Sequence, residues 1–452
     1  MKKTRFTIYK CISEICMIAI YFAAVFLFMK HIDLLEIFPE NTQKKAIIVI
    51  DVLYCLLMIC FLIIMEALNI GKRRLLDLSF GFFFGSVCVN VISAVILCIF
   101  IPVPFGRIVL YALCFIAFEC FIGFVWILSS HRVYERVQFR KEAVYIYGSR
   151  DNKNEFKRIN STINKYFKIS TAINYSKGMD HIMSQIEDST VVYLGNIPTG
   201  DRNTILKYCM KRSIDCYSIP KISDIYIQNS RVMQLYDKLL LQYPPLEISR
   251  GQEILKRGMD IVFGTLLLVL SSPFMLAIAI AIKLTDHGPV LFKQKRVTKN
   301  GKEFVMYKFR SMKIDAEKGG ARLAKKNDDR ITSVGRVIRN IHFDELPQLI
   351  NILKGEMSLV GPRPERMEFI EEYSRVIPEF PERLKVKAGL TGYAQIYGKY
   401  NTEPEDKIKF DLYYIYNYSF WMDIKLIILT IRILFQKENT EGVDDDQISA
   451  LR

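Results

Sequence analysis

The sequence has few of the side chains on which many hydrolases and metalloenzymes depend. It contains five histidines, and none of its ten cysteines forms a CxxC pair. No cysteine follows Cys216, and the histidines after that position are His287 and His342. The carboxy-terminal half is therefore poorly supplied for a thiol nucleophile, a zinc cluster or a Ser-His-Asp site.

Acidic residues are outnumbered, with 47 Asp and Glu against 62 Lys and Arg, and hydrophobic residues make up 51% of the chain. These values are unusual for a soluble enzyme and typical of membrane spans joined to a basic cytoplasmic part. Residues 281–340 alone hold 16 Lys and Arg against 6 Asp and Glu. We expect this segment to bind an anionic partner. Composition alone does not distinguish among nucleic acid, lipid headgroups and a phosphorylated substrate.

Four apolar runs, residues 12–29, 46–68, 78–101 and 109–128, are each long enough to cross a bilayer. No A-x-A cleavage site follows the first run, which favours a retained anchor over a secretory signal. Basic residues concentrate before the first run, after the second and after the fourth. Because basic loops stay on the cytoplasmic side, we predict a four-helix transmembrane bundle, residues 1–135, with both ends in the cytoplasm.

Residues 142–245 change to a pattern of short β-type runs. Strand-like runs at 143–147 and 190–194 alternate with helix-compatible stretches at 154–166 and 201–211. This alternation predicts a small Rossmann-like α/β domain with a parallel sheet. One glycine follows the first strand, but the further glycines of a dinucleotide fingerprint are missing, so a structural or regulatory module is favoured over nucleotide binding.

A fifth apolar run, residues 261–282, is also long enough to span a bilayer. Ser272-Pro273 lies in its middle, where proline removes a backbone hydrogen bond and kinks a helix. Both flanks are basic, with Arg257 before the run and Lys283 after it. A crossing would carry the basic segment away from nucleotide-activated substrates. We therefore predict a re-entrant membrane helix, residues 259–283, whose two ends lie at the cytoplasmic face.

Asp344 and Glu345 are adjacent acids followed by apolar residues at helical spacing, so we predict them in the first turn of an amphipathic helix. Such a pair is often no more than a favourable partner of the helix dipole. Here Arg336 and Arg339 precede the pair, and Gly361-Pro-Arg-Pro364 follows it. Carboxylates among arginines are typical of phosphoryl transfer.

A diphosphate electrophile repels a carboxylate until arginines and a magnesium ion neutralise its oxygens. An aspartate can then attack phosphorus to form an acyl phosphate, which divides one difficult displacement into two. Two adjacent acids permit two roles, since one carboxylate can attack while the other holds Mg²⁺. His342, two residues before Asp344, is predicted as a packing or surface residue rather than a general base.

A series of motifs runs in unbroken order from about residue 250 to residue 435. The motifs are Lys256-Arg257 with Asp260, Ser272-Pro273, Gly288-Pro-Val-Leu-Phe with Gln294-Lys-Arg296, Lys308-Phe-Arg-Ser-Met312, Asp344-Glu-Leu-Pro-Gln348, Met357-Ser-Leu-Val-Gly-Pro-Arg-Pro364 and Thr391-Gly-Tyr-Ala-Gln395. Together they resemble the monotopic polyprenol-phosphate phosphoglycosyl transferases, known as bacterial sugar transferases. The amino-terminal part resembles the large subgroup that initiates exopolysaccharide, capsule or O-antigen repeat units.

The resemblance implies transfer of a sugar 1-phosphate from a UDP-sugar to polyprenyl phosphate, with UMP as the second product. It implies that Asp344 is the nucleophile of a covalent phosphosugar intermediate and that Glu345 helps to bind Mg²⁺. The residues that it assigns to binding of phosphate and nucleotide are Arg339, Pro362, Arg363 and Pro364. The identity of the sugar stays open.

The resemblance also implies an α/β catalytic domain, residues 250–452, at the cytoplasmic face of the bacterial inner membrane. Residues 413–435 are predicted as interfacial helices, because charges interrupt an apolar segment with aromatics at one end. Nucleic acid is not expected, because aromatics do not interleave with the basic residues. An inert membrane scaffold is the alternative to an enzyme, and the intact acid pair and arginines count against it. Dimerisation is left open.

Several positions keep two interpretations. Lys308 and Arg310 lie in a basic motif that is either structural or faces the substrate. Asp260 is either structural or ties the re-entrant helix to the globular part. Thr298 and Ala388 depart from the family pattern, in which glycine and proline are common at these places, but neither change removes a charged catalytic group.

Overall fold

The computed structural model describes residues 2–31, 40–70, 75–100, 104–137, 141–148, 167–313, 330–398 and 402–434. The chain divides into two compact units, Met1–Ile219 and Pro220–Arg452. The three domain ranges drawn from the sequence remain predictions.

The first unit begins with helices whose buried apolar side chains form one cluster. Met17, Tyr54, Phe82 and Ile127, one from each of four helices, belong to it. A carboxyl group lies among these helices: Glu119 accepts hydrogen bonds from Tyr54 at 2.5 Å and from Asn90 at 2.7 Å, and also from Ser86. The helices are α1 (Lys2–His31), α2 (Glu40–Ile64), α3 (Leu75–Phe100) and α4 (Phe105–Val137).

Within the described ranges, three helical segments are long and apolar enough to cross a membrane: Leu75–Ile96, Gly106–Tyr134 and Arg250–Thr285. The apolar segments of α1 and α2, Cys11–Ala24 and Ile48–Ile64, are shorter. Membrane-compatible helices are thus confirmed for part of the predicted set. Four crossings in a transmembrane bundle remain a prediction.

The predicted parallel sheet is present in the first unit. Four strands pair in the order β2-β1-β3-β4, and each neighbouring pair is parallel. Val144 and Ile146, two residues apart on β1, pack with α5 and α6 in a common core. The helix-compatible stretch 154–166 lies outside the described residues. The elements are β1 (Lys141–Tyr147), β2 (Phe167–Asn174), α5 (Met179–Ile186), β3 (Val191–Leu194), α6 (Thr199–Lys211) and β4 (Asp215–Ser218).

The second unit surrounds a core to which α10, β9, α13 and α14 contribute, with Leu349, Leu359, Tyr414 and Leu429 among its buried residues. Strands β7 and β8 form an antiparallel hairpin, and β9 and β10 pair in parallel. The elements are α7 (Ile222–Gln228), β5 (Arg231–Leu235), β6 (Lys238–Gln242), α8 (Arg250–Asp286), β7 (Leu291–Val297), β8 (Glu303–Phe309), α9 (Ser333–Asn340), α10 (Gln348–Lys354), β9 (Ser358–Val360), α11 (Met367–Ser374), β10 (Gly389–Thr391), α12 (Tyr393–Tyr397), α13 (Pro404–Tyr416) and α14 (Phe420–Leu434).

Helix α8 carries the run that was predicted to re-enter the membrane. It begins at Arg250 rather than 259, because Ser249 and Gln252 form a capping box, and it ends at Asp286, before a left-handed His287. The helix continues as one element through Pro273. Ser272 helps it to do so: its hydroxyl donates to the carbonyl of Val269 at 2.8 Å, the acceptor that the missing proline N–H leaves free. The re-entrant course remains a prediction.

The segment 413–435, predicted as interfacial helices, contains the end of α13 and the whole of α14. Trp421 is exposed, whereas Asp423 is fully buried and does not face solvent as its charge would suggest. Burial of a carboxylate is costly unless a cation compensates it, and Lys256 of α8 does so at 2.5 Å. The location of these helices at a membrane surface remains a prediction.

Candidate active site

The acid pair, Asp344-Glu345, lies in a single 3₁₀ turn between α9 and α10. The sequence predicted the first turn of an α-helix, but α10 begins after the pair. Pro347 explains the difference, because it has no N–H to donate to the carbonyl of Phe343 as an α-helix would require. The turn closes instead through the N–H of Leu346, 3.3 Å from that carbonyl oxygen.

Glu345 is held by two cations. Its Oε1 atom lies 2.6 Å from Nζ of Lys308 and 2.8 Å from Nη2 of Arg363. Burial alone would raise the pKa of Glu345, but Arg363 and Lys308 together hold it well below its usual range. Glu345 is therefore a carboxylate at every physiological pH.

Asp344 has a different environment although it is the next residue. It is 8% exposed, and its carboxyl group makes no hydrogen bond within the described chain. Burial and the negative charge of Glu345 raise its pKa, more than Lys308 and Arg339 lower it. Environments that shift the pKa values of two neighbouring carboxyl groups in opposite directions are typical of acids with different roles. The carboxyl group of Asp344 therefore has no hydrogen-bond partner within the described chain, whereas two cations hold that of Glu345.

The residues predicted to bind phosphate come from two places. Arg339 lies in the last turn of α9 and acts electrostatically on Asp344. Arg363 lies in the loop after β9 with Pro362 and Pro364, and its side chain is 48% exposed. The structure thus brings Arg363 into contact with Glu345 and Arg339 close to Asp344. Neither proline contributes a side-chain hydrogen bond, so their effect is on the shape of the loop.

Lys308 and Arg310, whose roles were left open together, separate in the structure. Lys308, on β8, contacts Glu345 as described above. Arg310 is 7% exposed and packs against Gly288, where an added Cβ would lie 2.0 Å from its Nη1 atom. These contacts favour a role in the site for Lys308 and a structural role for Arg310.

Helix α8 forms hydrogen bonds with both segments that carry the site. Asp260 accepts hydrogen bonds from the hydroxyl of Ser358 at 2.9 Å and the N–H of Leu359 at 2.8 Å, on β9 before the Arg363 loop. Arg257 donates to the carbonyls of Ile352 and Leu353, each at 2.7 Å, at the end of α10. Of the two interpretations of Asp260, these contacts favour a tie between α8 and the globular part.

The buried partners of α8 were missed from the sequence. Lys256 lies 2.5 Å from Asp423 and 3.1 Å from the hydroxyl of Tyr414, which in turn donates to Asp423 at 2.7 Å. Burial raises the pKa of Asp423, and Lys256 opposes that shift. A signal existed, because Asp423 is the one acidic residue of a largely apolar helix, Phe420–Leu434.

The two departures from the family pattern meet in the structure. The backbone N–H of Ala388 donates to the hydroxyl of Thr298 at 3.1 Å, and both residues are buried. A proline at position 388 would have no N–H, and a glycine at 298 would offer no acceptor. The hydroxyl therefore satisfies a buried donor that the usual pair of residues would not have.

Magnesium was predicted as the cofactor, with Glu345 as a ligand. The described residues contain no group of three or more His, Cys, Asp or Glu side chains suited to a metal. Mg²⁺ commonly takes only one or two carboxylates and completes its shell with substrate phosphates and water. Oε2 of Glu345, which makes no hydrogen bond within the described chain, fits such a substrate-bridged ion.

Residues 251–437, which include the whole of this site, match the family model described as Bacterial sugar transferase. UDP-N-acetylgalactosamine-undecaprenyl-phosphate N-acetylgalactosaminephosphotransferase of Aeromonas hydrophila is 41% identical over 238 residues, 52% of this chain and 56% of the relative. UDP-glucose:undecaprenyl-phosphate glucose-1-phosphate transferase of Escherichia coli (strain K12) is 41% identical over 218 residues, 47% of each protein. The Caulobacter vibrioides protein of that name is 40% identical over 192 residues, 41% of this chain and 72% of the relative. The chain spans about half the length of the first two relatives.

Proposed function

The chain belongs to the bacterial sugar transferase family, and on that premise we propose that it transfers a sugar 1-phosphate from a UDP-sugar to polyprenyl phosphate. The products are a polyprenyl diphosphate sugar and UMP. The observation that carries the proposal is the contrast within the acid pair, in which two cations hold Glu345, whereas the carboxyl group of Asp344 makes no hydrogen bond within the described residues. The names of the three relatives described above, each of which contains a UDP-sugar, support the substrate class.

In the first step, a carboxylate oxygen of Asp344 attacks the phosphorus that bears the sugar. A bond forms between that oxygen and phosphorus, the bond from phosphorus to the bridging diphosphate oxygen breaks, and UMP leaves with the electron pair. Arg363 and Arg339 stabilise the charge that develops on the phosphate oxygens. Asp344 must be ionised for this step, and the positive charges of Lys308 and Arg339 favour that form.

In the second step, a phosphate oxygen of the lipid attacks the same phosphorus, and the carboxylate of Asp344 leaves. The net result is a diphosphate that joins lipid and sugar, with the enzyme unchanged. Magnesium, when bound through Glu345 and the substrate phosphates, supplies Lewis-acid neutralisation of the diphosphate. Lys308 holds Glu345 ionised and oriented for that contact.

The membrane placement is also proposed. Helix α8 would enter and leave through the cytoplasmic leaflet of the bacterial inner membrane, with the site at its surface. Phe274, next to Pro273, contacts Phe343 with ring centroids 6.2 Å apart, so the middle of this helix adjoins the residue before Asp344. That contact would bring a lipid phosphate and the acid pair together. The product would serve as the first membrane intermediate of an exopolysaccharide, capsule or O-antigen.

The test is UMP release from a panel of UDP-sugars by the purified protein in detergent or nanodiscs. We expect release with at least one UDP-sugar, dependent on polyprenyl phosphate for multiple turnovers and on Mg²⁺. A protein that folds and binds membrane but releases no UMP from any UDP-sugar would support the inert scaffold instead.

A further inference from the structure

The loop that carries Arg363 is fixed along its backbone by residues of three different elements, β7, β10 and the 3₁₀ turn Phe380–Lys385. The carbonyl of Pro362 accepts from the N–H of Gly389 at 2.9 Å, and that of Glu365 accepts from the N–H of Val297 at 3.0 Å. The carbonyl of Pro364 accepts from the side chain of Arg296 at 3.2 Å. The carbonyl of Arg363 itself accepts from Nη2 of Arg383, also at 3.2 Å.

Arg383 is a long cationic side chain kept almost wholly inside the protein. It is 3% exposed, and its Nη2 atom lies 2.8 Å from Oδ2 of Asp411, which is 2% exposed. The guanidinium also stands over the ring of Phe380, 4.9 Å from its centroid. A buried arginine is tolerated only when paired, so the charge of Asp411 holds Arg383, and Nη2 of Arg383 donates to the carbonyl of Arg363. Asp411 therefore fixes Arg383, and Arg383 fixes the carbonyl of Arg363.

The side chain of Arg363 needs such support. It is half exposed, and an exposed ion pair such as that with Glu345 holds a long side chain only weakly. Recognition of a diphosphate by a guanidinium depends on its position to within a fraction of an ångström. Accepting the proposed function, we propose that Arg383, held by Asp411, is a positioning residue that sets the backbone from which Arg363 reaches Glu345 and the substrate diphosphate.

The proposal is tested by a double-mutant cycle with Arg363→Ala and Arg383→Met. We expect Arg383→Met to lower kcat/KM for the UDP-sugar by about tenfold or more in the otherwise unchanged protein, as for loss of a charged hydrogen bond. In the Arg363→Ala background the same change should cost less than about twofold, because the residue through which Arg383 acts is gone. Losses that multiply would overturn the proposal. Arg375→Met, a change at an exposed arginine, is the matched control and should leave kcat/KM unchanged.

A second measurement reads the loop without turnover. Hydrogen–deuterium exchange of the peptide 361–366 should be faster in Arg383→Met, and Arg383→Lys should not restore protection because an ammonium lacks the planar fork. Unchanged exchange in both variants would overturn the proposal. If Arg383→Met loses protection throughout the protein, the comparison is repeated with Asp411→Asn. If the unchanged protein releases no UMP, the proposed function fails, and the cycle is then read from the Kd for UDP.

Discussion

The Arg363–Glu345 ion pair at the site and the ion pairs beneath it differ in exposure. Arg363, which pairs with Glu345, has a side chain 48% exposed, whereas Arg383 and Lys256 are 3% and 8% exposed. An exposed pair contributes little to stability and can exchange one anion for another. A buried pair must stay closed, because removal of one partner leaves an uncompensated charge. The same chemical groups thus permit exchange of anions at the surface and support the fold in the interior.

The largest effect should come from changes to the acid pair. Asp344→Asn should abolish turnover, because an amide is a very poor nucleophile. Glu345→Gln should fail as well, but through magnesium, and raised Mg²⁺ should restore part of the rate. Steady-state UMP release measures both. Thermal unfolding serves as the control. A large loss of stability in Asp344→Asn would show that the acid pair, like the buried ion pairs beneath it, supports the fold.

The opposite pattern is expected beneath the site. Lys256→Met should reduce the free energy of unfolding by about 3–5 kcal/mol, because it leaves Asp423 buried without its cation. Adding Asp423→Asn to Lys256→Met should recover part of that loss, since the charge is then removed as well. The stabilities of these variants are compared through their protease susceptibility in nanodiscs. Equal stability of Lys256→Met and the unchanged protein would show that the buried pair is not a support.

An intermediate effect is expected at Lys308, which belongs to the site and acts by lowering the pKa of Asp344. Asp344 must be ionised to attack, and burial raises its pKa, so kcat/KM should fall as pH falls through that raised value. Lys308 lowers the pKa of Asp344, so Lys308→Met should move the acid limb of the profile to higher pH. Lys308→Arg, which retains the charge, should leave the limb in place. A limb that moves to lower pH in Lys308→Met would contradict the electrostatic assignment.

The smallest effect concerns the hydrogen bond between Thr298 and Ala388. Thr298→Val keeps the shape of the side chain but leaves the buried N–H of Ala388 without its acceptor, which should cost about 1–3 kcal/mol of stability. Ala388→Pro removes that N–H, so the double variant should be more stable than Thr298→Val alone. Denaturant or thermal unfolding of the three variants decides. Additive losses would show that the two residues are not coupled.

The sequence predicted those features that depend on neighbouring residues. Short β-type runs identified β1 and β3, and a long apolar run identified the core of α8. The 3₁₀ turn at the acid pair was not foreseen, because it depends on the one N–H that Pro347 lacks. The ion pairs that support the site were also missed. They join segments far apart in the chain, as Lys256 and Asp423 show with a separation of 167 residues, and local patterns do not encode such pairing.

The central claim is that Asp344 is free to bond covalently while Glu345 is held. The direct measurement is incubation of the purified protein with labelled UDP-sugar and Mg²⁺ but no polyprenyl phosphate, followed by mass spectrometry of the peptide that contains Asp344. The account predicts a phosphosugar adduct on Asp344, release of one equivalent of UMP, and ping-pong kinetics once the lipid is added. Absence of any adduct, together with intersecting-line kinetics, would mean direct transfer in a ternary complex and would contradict the account.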